Sequence, residues 1–267
     1  TLWMAVFADM GASLLVALRR YAEAVGPLEQ LLATRPAGDA EVRALGQLAI
    51  SYAYTSRLDE AKQTFATLAA KHPNHALIVP AAEQLAEAAY QAGDTTWSGE
   101  LFDRLRRAGR SPEETRKGMS GLGWSQFQAG QFEEAAATLK TLLDAEPEPA
   151  VAAEAALVRG RALERLGRRA EALEMYRLVI DRYPESSHHA QAVWSAATVC
   201  YDAQRSAEAA ALYAELVEKH PDFEGMDGVL YNWAWTLMDQ GMAAEAAALF
   251  ERIVREYPES HYWPDSA

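Results

Sequence analysis

The sequence contains a single cysteine, Cys200, among 267 residues. One thiol cannot form an intrachain disulfide, and it has no second thiol with which to share a metal ion. A disulfide-stapled fold and a cysteine-rich metal site are therefore excluded. The simplest role for this residue is that of a small, buried apolar side chain.

Basic residues are also scarce, with 25 Lys and Arg against 38 Asp and Glu and a net charge of −13. Excess negative charge opposes the counterion release that drives binding to phosphate backbones. We therefore expect no nucleic-acid partner. Half of the residues are hydrophobic, which is enough for a well-buried core.

A transmembrane segment is not expected. The most apolar stretch, residues 2–18, contains Asp9, lacks a basic start and has no A-x-A cleavage site, so it does not fit a signal peptide. It is also short for a membrane-spanning helix, and we expect it to be a core helix. Because the chain begins at Thr1 rather than Met, we interpret it as a fragment or processed form of a longer chain.

Motifs of catalytic or cofactor sites are absent from the sequence. It has no G-x-S-x-G elbow, P-loop, H-E-x-x-H or pair of C-x-x-C motifs. The glycine pair in residues 121–123 follows no predicted strand, and the adjacent His188 and His189 have no nearby cysteine to complete a metal site. We therefore predict no enzyme activity, no cofactor and no bound metal.

A period of 37 residues runs through the chain. It is marked by Pro36, Pro73, Pro147, Pro184, Pro221 and Pro258. Arg110 occupies the one point of the period that lacks a proline, which gives seven points in all. Twelve residues before each of these points is a small residue: Ala24, Ala61, Ser98, Ala135, Ala172, Ala209 and Ala246. Eight residues before is a large apolar or aromatic one: Leu28, Phe65, Phe102, Leu139, Tyr176, Tyr213 and Phe250.

A second small column lies twenty-four residues before each proline position. Its members are Ala12, Ala49, Ala86, Gly123, Gly160, Ala197 and Ala234. Small residues on both helices of a hairpin allow close approach of the backbones, and the large column fills the space between hairpins. Glycines five residues before the second-helix small column indicate left-handed helix ends. We expect turns near Arg57, Gly93, Gly130, Gly167, Gln204 and Gly241.

These patterns predict an all-α, right-handed superhelical solenoid of about seven antiparallel helix-turn-helix repeats in a single domain. The repeats cover approximately residues 1–36, 37–73, 74–110, 111–147, 148–184, 185–221 and 222–258. Residues 259–267 are predicted to start a further repeat.

The small, small, aromatic and proline columns resemble the tetratricopeptide repeat family over almost the whole chain. That resemblance implies a protein or peptide partner bound in a concave groove lined by the first helices. The usual repeat has 34 residues, and we place the three extra residues either in the loop after each proline or in longer helices.

The segments 183–186 and 257–260, both Tyr-Pro-Glu-Ser, are similar to the longer repeats of bacterial envelope proteins. Such repeats occur in the periplasmic partner of the Tol-Pal system and in the lipoprotein of the outer-membrane barrel-assembly machinery. The sequence does not indicate a compartment directly, but this resemblance favours the periplasm or envelope over the cytoplasm.

The resemblance also implies which residues line the groove, because first-helix positions just after the small column and three or four residues away point into it. The candidate partner-binding residues at or beside these positions are Trp124, Phe127, Arg161, Arg165, Trp194, Tyr201, Tyr231, Asn232 and Trp235. Two interpretations of the aromatic residues stay open, burial against the next hairpin and binding hot spots. For Arg161 and Arg165 the alternatives are a partner carboxylate and an ion pair with Glu164 or Asp202.

Three functions are consistent with these observations. The first is a non-catalytic scaffold that binds a partner segment, in a bacterial multiprotein or envelope assembly. The second is a regulatory or sensor module of a larger enzyme or signalling protein. The third is binding of a small molecule or glycan on the aromatic residues.

A chaperone tail is not expected as the partner. Members of the family that bind such tails have lysine and asparagine residues at fixed groove positions, the carboxylate clamp, and only Asn232 resembles one of them.

Overall fold

The structure is a computed structural model that describes the backbone of residues 2–109 and 111–262 and the side chains from residue 10 onward in those ranges. The described residues form fourteen α-helices and no strand. Helices that follow one another contact each other from α1 to α7 and from α9 to α14. The predicted all-α class with seven helical hairpins is confirmed, and the handedness of the superhelix stays a prediction.

Each hairpin has a first and a second helix. The first helices are α1 (Leu2–Ala17), α3 (Asp39–Tyr54), α5 (Ile78–Gln91), α7 (Pro112–Gln128), α9 (Pro149–Arg165), α11 (His189–Asp202) and α13 (Met226–Asp239). The second helices are α2 (Tyr21–Ala33), α4 (Leu58–Lys71), α6 (Thr95–Ala108), α8 (Phe132–Asp144), α10 (Arg169–Arg182), α12 (Ser206–Lys219) and α14 (Ala243–Glu256).

The chain comprises two compact units, the first ending at Thr138 and the second beginning at Leu139, inside α8. The first unit contains α1 to α7, and the second contains α9 to α14. The single-domain solenoid and its repeat boundaries stay predictions.

The two small columns are buried where the sequence places them. Every residue of the second-helix column, from Ala24 to Ala246, is inaccessible to solvent. The first-helix column is buried throughout. Gly160 shows why size matters here, since a Cβ at this position would lie 2.5 Å from Cε1 of Tyr176. The large column is buried as well, apart from the half-buried Phe250.

The turns within the hairpins have the left-handed residue that the glycine pattern predicts. Positive φ angles occur at Gly93, Gly130, Gly167, Gln204 and Gly241, and at Ser56, one residue before the predicted Arg57. Glycine reaches this region without the steric cost that a Cβ imposes. The predicted turn positions are therefore confirmed to within one residue.

Both predicted locations for the three extra residues of the repeat occur, in different hairpins. The 14-residue helices α5, α11 and α13 follow loops 72–77, 183–188 and 220–225. The 17-residue helices α7 and α9 follow shorter connections, 109–111 and 145–148. Pro112 and Pro149 begin these longer helices, and proline is well suited to the first helical position. A longer first helix thus compensates for a shorter loop.

Candidate partner-binding face

We use the term first-helix face for the surface formed by the predicted groove positions of the first helices. None of the nine predicted residues is fully buried. Arg165 and Trp235 are exposed, and the other seven are half-buried. The packing columns of the same helices are buried, so the first-helix face differs from them as the repeat phase predicts.

Trp124 and Phe127 lie on α7 in the first unit. Their ring centroids are 6.2 Å apart in an edge-on arrangement, and Phe127 also contacts Phe132 at 5.6 Å. The remaining seven predicted residues belong to the second unit. A single aromatic surface that includes all nine stays a prediction.

An aromatic cluster forms around α13 in the second unit. Trp235 packs edge-on against Tyr231 at 6.2 Å and against Phe250 at 5.9 Å. Tyr262 stacks on Tyr231 with centroids 4.4 Å apart. One face of Tyr231 is therefore covered by its own chain, whereas Trp235 remains 40% exposed and the neighbouring Met238 remains 43% exposed.

Trp194 on α11 is held by packing contacts. Its ring lies 5.9 Å from that of Tyr213 on α12 and 6.3 Å from that of Phe223, which precedes α13. Both contacts are with neighbouring helices or loops of the second unit. Trp194 is thus half-buried between hairpins, as the packing interpretation of the aromatic rows predicts for part of the set.

The hydroxyl of Tyr176 donates a hydrogen bond of 2.7 Å to Glu164 on the first-helix face. Burial and the Glu164 carboxylate raise the pKa of Tyr176, and the nearby Arg161 acts in the opposite direction. Ion pairs of Arg161 and Arg165 with Glu164 or Asp202 stay an alternative. Glu164 accepts this hydrogen bond, and Asp202 lies 3.7 Å from Arg169 on α10.

Tyr213 is the equivalent of Tyr176 one repeat later, but its surroundings differ. The position 37 residues after Glu164 is Tyr201, so the carboxylate acceptor is missing. The buried Tyr213 hydroxyl forms no well-aligned hydrogen bond within the described chain, although the side chain of Thr198 approaches it. Burial raises the pKa of Tyr213 to about 12, the Thr198 side chain acts in the opposite direction, and the charge of Asp202 acts in the same direction as burial.

Two carboxylates occupy equivalent positions at the ends of α11 and α13, Asp202 and Asp239. Burial raises the pKa of Tyr201, and the charges of Asp239 and Asp202 raise it further. Both carboxylates therefore lie within electrostatic range of the Tyr201 hydroxyl. Asn232 is half-buried about two turns before Asp239 on α13.

His189 and His220 form a close pair in the second unit. Nδ1 of the buried His189, at the start of α11, lies 2.8 Å from Nε2 of His220, which follows α12. Burial and the neighbouring His220 lower the pKa of His189.

Among the described residues, no group of three or more His, Cys, Asp or Glu side chains is arranged to hold a metal ion. No helix in the described ranges is long and apolar enough to cross a membrane.

Sequence reasoning missed three residues of this region. Tyr262 and Phe250 complete the cluster around Trp235, and the buried Tyr213 hydroxyl forms no well-aligned hydrogen bond within the described chain. The Phe250 and Tyr213 positions were assigned only to packing. Positions 164 and 201 are one period apart and hold Glu and Tyr. This difference in the sequence indicates that Tyr213 lacks the carboxylate acceptor that Tyr176 has.

Sequence profiles described as tetratricopeptide repeat match residues 43–75, 121–187 and 200–264. Together with the hairpin architecture and the buried columns, these matches identify the class, and the chain belongs to the tetratricopeptide repeat family. Proteins of this family are typically non-catalytic scaffolds for protein interactions. No curated protein is significantly similar to the chain.

Solved structures share the fold at low sequence identity. The C-terminal part of a tetratricopeptide repeat protein from Cytophaga hutchinsonii is 15% identical with a TM-score of 0.73, covering 97% of this chain and 98% of that one. A tetratricopeptide repeat protein from Parabacteroides merdae is 14% identical with a TM-score of 0.58, covering 93% and 91%. YrrB, described as having an unusual peptide-binding site, is 15% identical with a TM-score of 0.57, covering 73% and 92%.

Proposed function

We propose that the chain is a non-catalytic scaffold that binds an extended or helical segment of a partner protein along the first-helix face of its second unit. The observation that carries this proposal is the exposure of Trp235. A large aromatic side chain that is 40% exposed but fixed by Tyr231 and Phe250 has the properties of a binding hot spot.

Further support comes from the neighbours of Trp235. Met238 is exposed beside it, and methionine adapts its shape to different apolar partners. Arg161 and Arg165 provide guanidinium groups on α9 that can bind a carboxylate of the partner. The peptide-binding site named for YrrB shows that this fold supports such a function in a distant relative. A bacterial multiprotein or envelope assembly and the Tol-Pal or barrel-assembly resemblance stay part of this proposal.

The test is selection of binding peptides from a random dodecapeptide library displayed on phage, with the whole chain as bait and a glycan array as the alternative. We expect peptides to be enriched and sugars not to bind. Replacing Trp235 with Ala should then weaken binding of a selected peptide by about 2 kcal/mol or more with little change in melting temperature.

Trp97 provides the contrast, because it lies on the second helix α6 and is buried. Trp97→Ala should lower the melting temperature without selectively weakening peptide binding. Enrichment of no peptide, or equal binding by the Trp235→Ala variant, would contradict the proposed function. Binding of sugars alone would favour the glycan interpretation of the aromatic residues.

A further inference from the structure

Two large apolar residues of α1, Met10 and Leu14, lie exposed on one side of the helix, one turn apart. Met10 is 64% exposed and Leu14 is 60% exposed. In the six hairpins that follow, the position of Leu14 is buried every time, at Ser51, Ala88, Ser125, Ala162, Val199 and Thr236. The exposure of Leu14 therefore departs from the repeat. We call Met10 and Leu14 the head surface.

The junction between α6 and α7 shows what covers these two positions within the chain. In α7 they are held by Gly121 and Ser125. The hydroxyl of Ser125 forms a hydrogen bond of 3.1 Å with that of Ser98 on α6, and a Cβ at Gly99 would lie 3.5 Å from Cβ of Ser125. A Cβ at Gly121 would collide with the ring of Phe102, also on α6. The second helix of the preceding hairpin is thus the element that packs on a head surface.

The last second helix, α14, is less covered than the others. Phe250 is half-buried, whereas the large residue of the other second helices is buried. Ala247 is exposed, and the other members of its column are not: Val25, Lys62, Gly99, Ala136, Leu173 and Ala210. Glu251 is exposed beside them. We call Ala247, Phe250 and Glu251 the tail surface, and its positions are those that face the next hairpin in the α6 and α7 junction.

The tail surface fits the head surface in size. In the register of the α6 and α7 junction, the facing pairs are Phe250 with Met10 and Ala247 with Leu14. The second pair has its equivalent at the junction of α10 and α11 in Leu173 and Val199, which are both buried. That junction accommodates two branched side chains, so an alanine opposite a leucine does not overfill it. Contact between methionine sulfur and an aromatic ring is also favourable.

Charge is complementary in the same register. Within the chain, the carboxylate of Glu29 on α2 lies 4.0 Å from the guanidinium of Arg57, which precedes α4. The equivalent residues at the two surfaces are Glu251 and Arg20, which lie six periods after Glu29 and one period before Arg57. Contact between a tail surface and a head surface therefore brings opposite charges together.

We propose that a second copy of the chain binds the head surface through its tail surface. In this contact α14 of one copy packs on α1 of the other as a second helix packs on the next first helix within the chain. The two sides of the contact differ, so it is heterologous, and each pair keeps one head and one tail surface for further copies. This self-association goes beyond the proposed partner binding and does not depend on it.

The test is sedimentation velocity of the whole chain over a series of concentrations, with one variant for each surface. Leu14→Glu places a carboxylate in the head surface, and Ala247→Glu places one in the tail surface. Ala207→Glu, at an exposed position on α12, is the matched control. All three substituted residues are exposed, so the buried columns stay intact.

We expect the unmodified chain and the Ala207→Glu variant to form dimers and larger species as the concentration rises. Leu14→Glu and Ala247→Glu should each weaken this association about tenfold or more, because an unpaired carboxylate is costly in an apolar contact. An equimolar mixture of the two should form dimers and nothing larger, since the head variant keeps a tail surface and the tail variant keeps a head surface.

Three results would overturn the inference. The first is an unmodified chain that stays monomeric at every concentration. The second is a dimer that persists in Ala247→Glu but is lost in Leu14→Glu, which would show a symmetric contact between two head surfaces. The third is association of the unmodified chain without dimers in the mixture of the two variants.

Discussion

At the residue scale, the pair Tyr176 and Tyr213 shows how one substitution elsewhere changes the role of an equivalent side chain. Tyr176 has a carboxylate acceptor in Glu164, whereas Tyr213 has Tyr201 in that place. A hydrogen bond to a charged group contributes more to stability than a neutral one, and a buried hydroxyl without a well-aligned hydrogen bond contributes little. The two tyrosines should therefore respond differently to loss of the hydroxyl.

Tyr176→Phe is expected to lower the free energy of unfolding by about 1 to 3 kcal/mol. Tyr213→Phe should leave it unchanged or raise it slightly. Urea denaturation of both variants under the same conditions measures the difference. Equal destabilisation by the two substitutions would show that the Tyr213 hydroxyl has a bonding partner.

Arg159 is a second residue with a buried polar atom, at a position that is apolar in the preceding repeats. The equivalent residues in the three preceding repeats, Leu48, Leu85 and Leu122, are buried. The buried Nε of Arg159 has no partner within the described chain, its Nη1 contacts Sδ of Met175 at 3.1 Å, and burial lowers its pKa.

Arg159→Leu should therefore raise the free energy of unfolding by about 1 to 3 kcal/mol, because it removes a buried polar group and restores the apolar column. The measurement is a urea titration beside the unmodified chain. A less stable variant would mean that the guanidinium makes stronger interactions than the Met175 contact.

At the element scale, the hairpins depend on small residues where helices cross. Ala209→Leu places a larger side chain in a fully buried crossing of α12, and overpacking should cost about 1 to 3 kcal/mol. Ala207→Leu is the matched control, since Ala207 is exposed on the same helix. If thermal melting does not distinguish the two variants, Ala209 is not a packing position.

The junction between α11 and the end of α12 should be sensitive to acid. The lowered pKa of His189 means that the folded chain resists protonation there, whereas the unfolded chain takes up a proton near the ordinary value of about 6.5. Stability should therefore fall as the pH falls below that value. Besides His220, the charged groups facing His189 are Glu215, Lys219 and Glu185.

His189→Met tests this dependence, since Met226 occupies the equivalent position one repeat later and is also buried. Between pH 7 and pH 5 the unmodified chain should lose more unfolding free energy than the variant. Denaturant titrations at both pH values give the comparison. Identical pH dependence in the two proteins would show that His189 does not resist protonation.

The hairpins and their turns could be predicted from the sequence, whereas the position of the extra residues of each repeat could not. Columns of small and large residues predicted the hairpins and turns because each column reflects a steric requirement that recurs every 37 residues. The division of the extra three residues between loops and helices was not predicted. It depends on local signals at Pro112 and Pro149, which differ from repeat to repeat.

At the scale of the whole molecule, the surroundings of the candidate partner-binding residues were less predictable than the fold. The repeat phase indicated which first-helix residues avoid the packing columns, but not what covers them. Tyr231 is stacked under Tyr262, and Trp194 is packed between hairpins. Such contacts involve neighbouring repeats or the segment after α14, so they depend on tertiary geometry that no single column encodes.

Photocrosslinking determines which face of the second unit contacts the partner. A photoreactive amino acid is introduced at Met238, which is exposed on the first-helix face, or at Ala248, which is exposed on the second helix α14. With a peptide selected on the unmodified chain, we predict crosslinking from position 238 and none from position 248. Crosslinking from position 248 alone would contradict binding on the first-helix face.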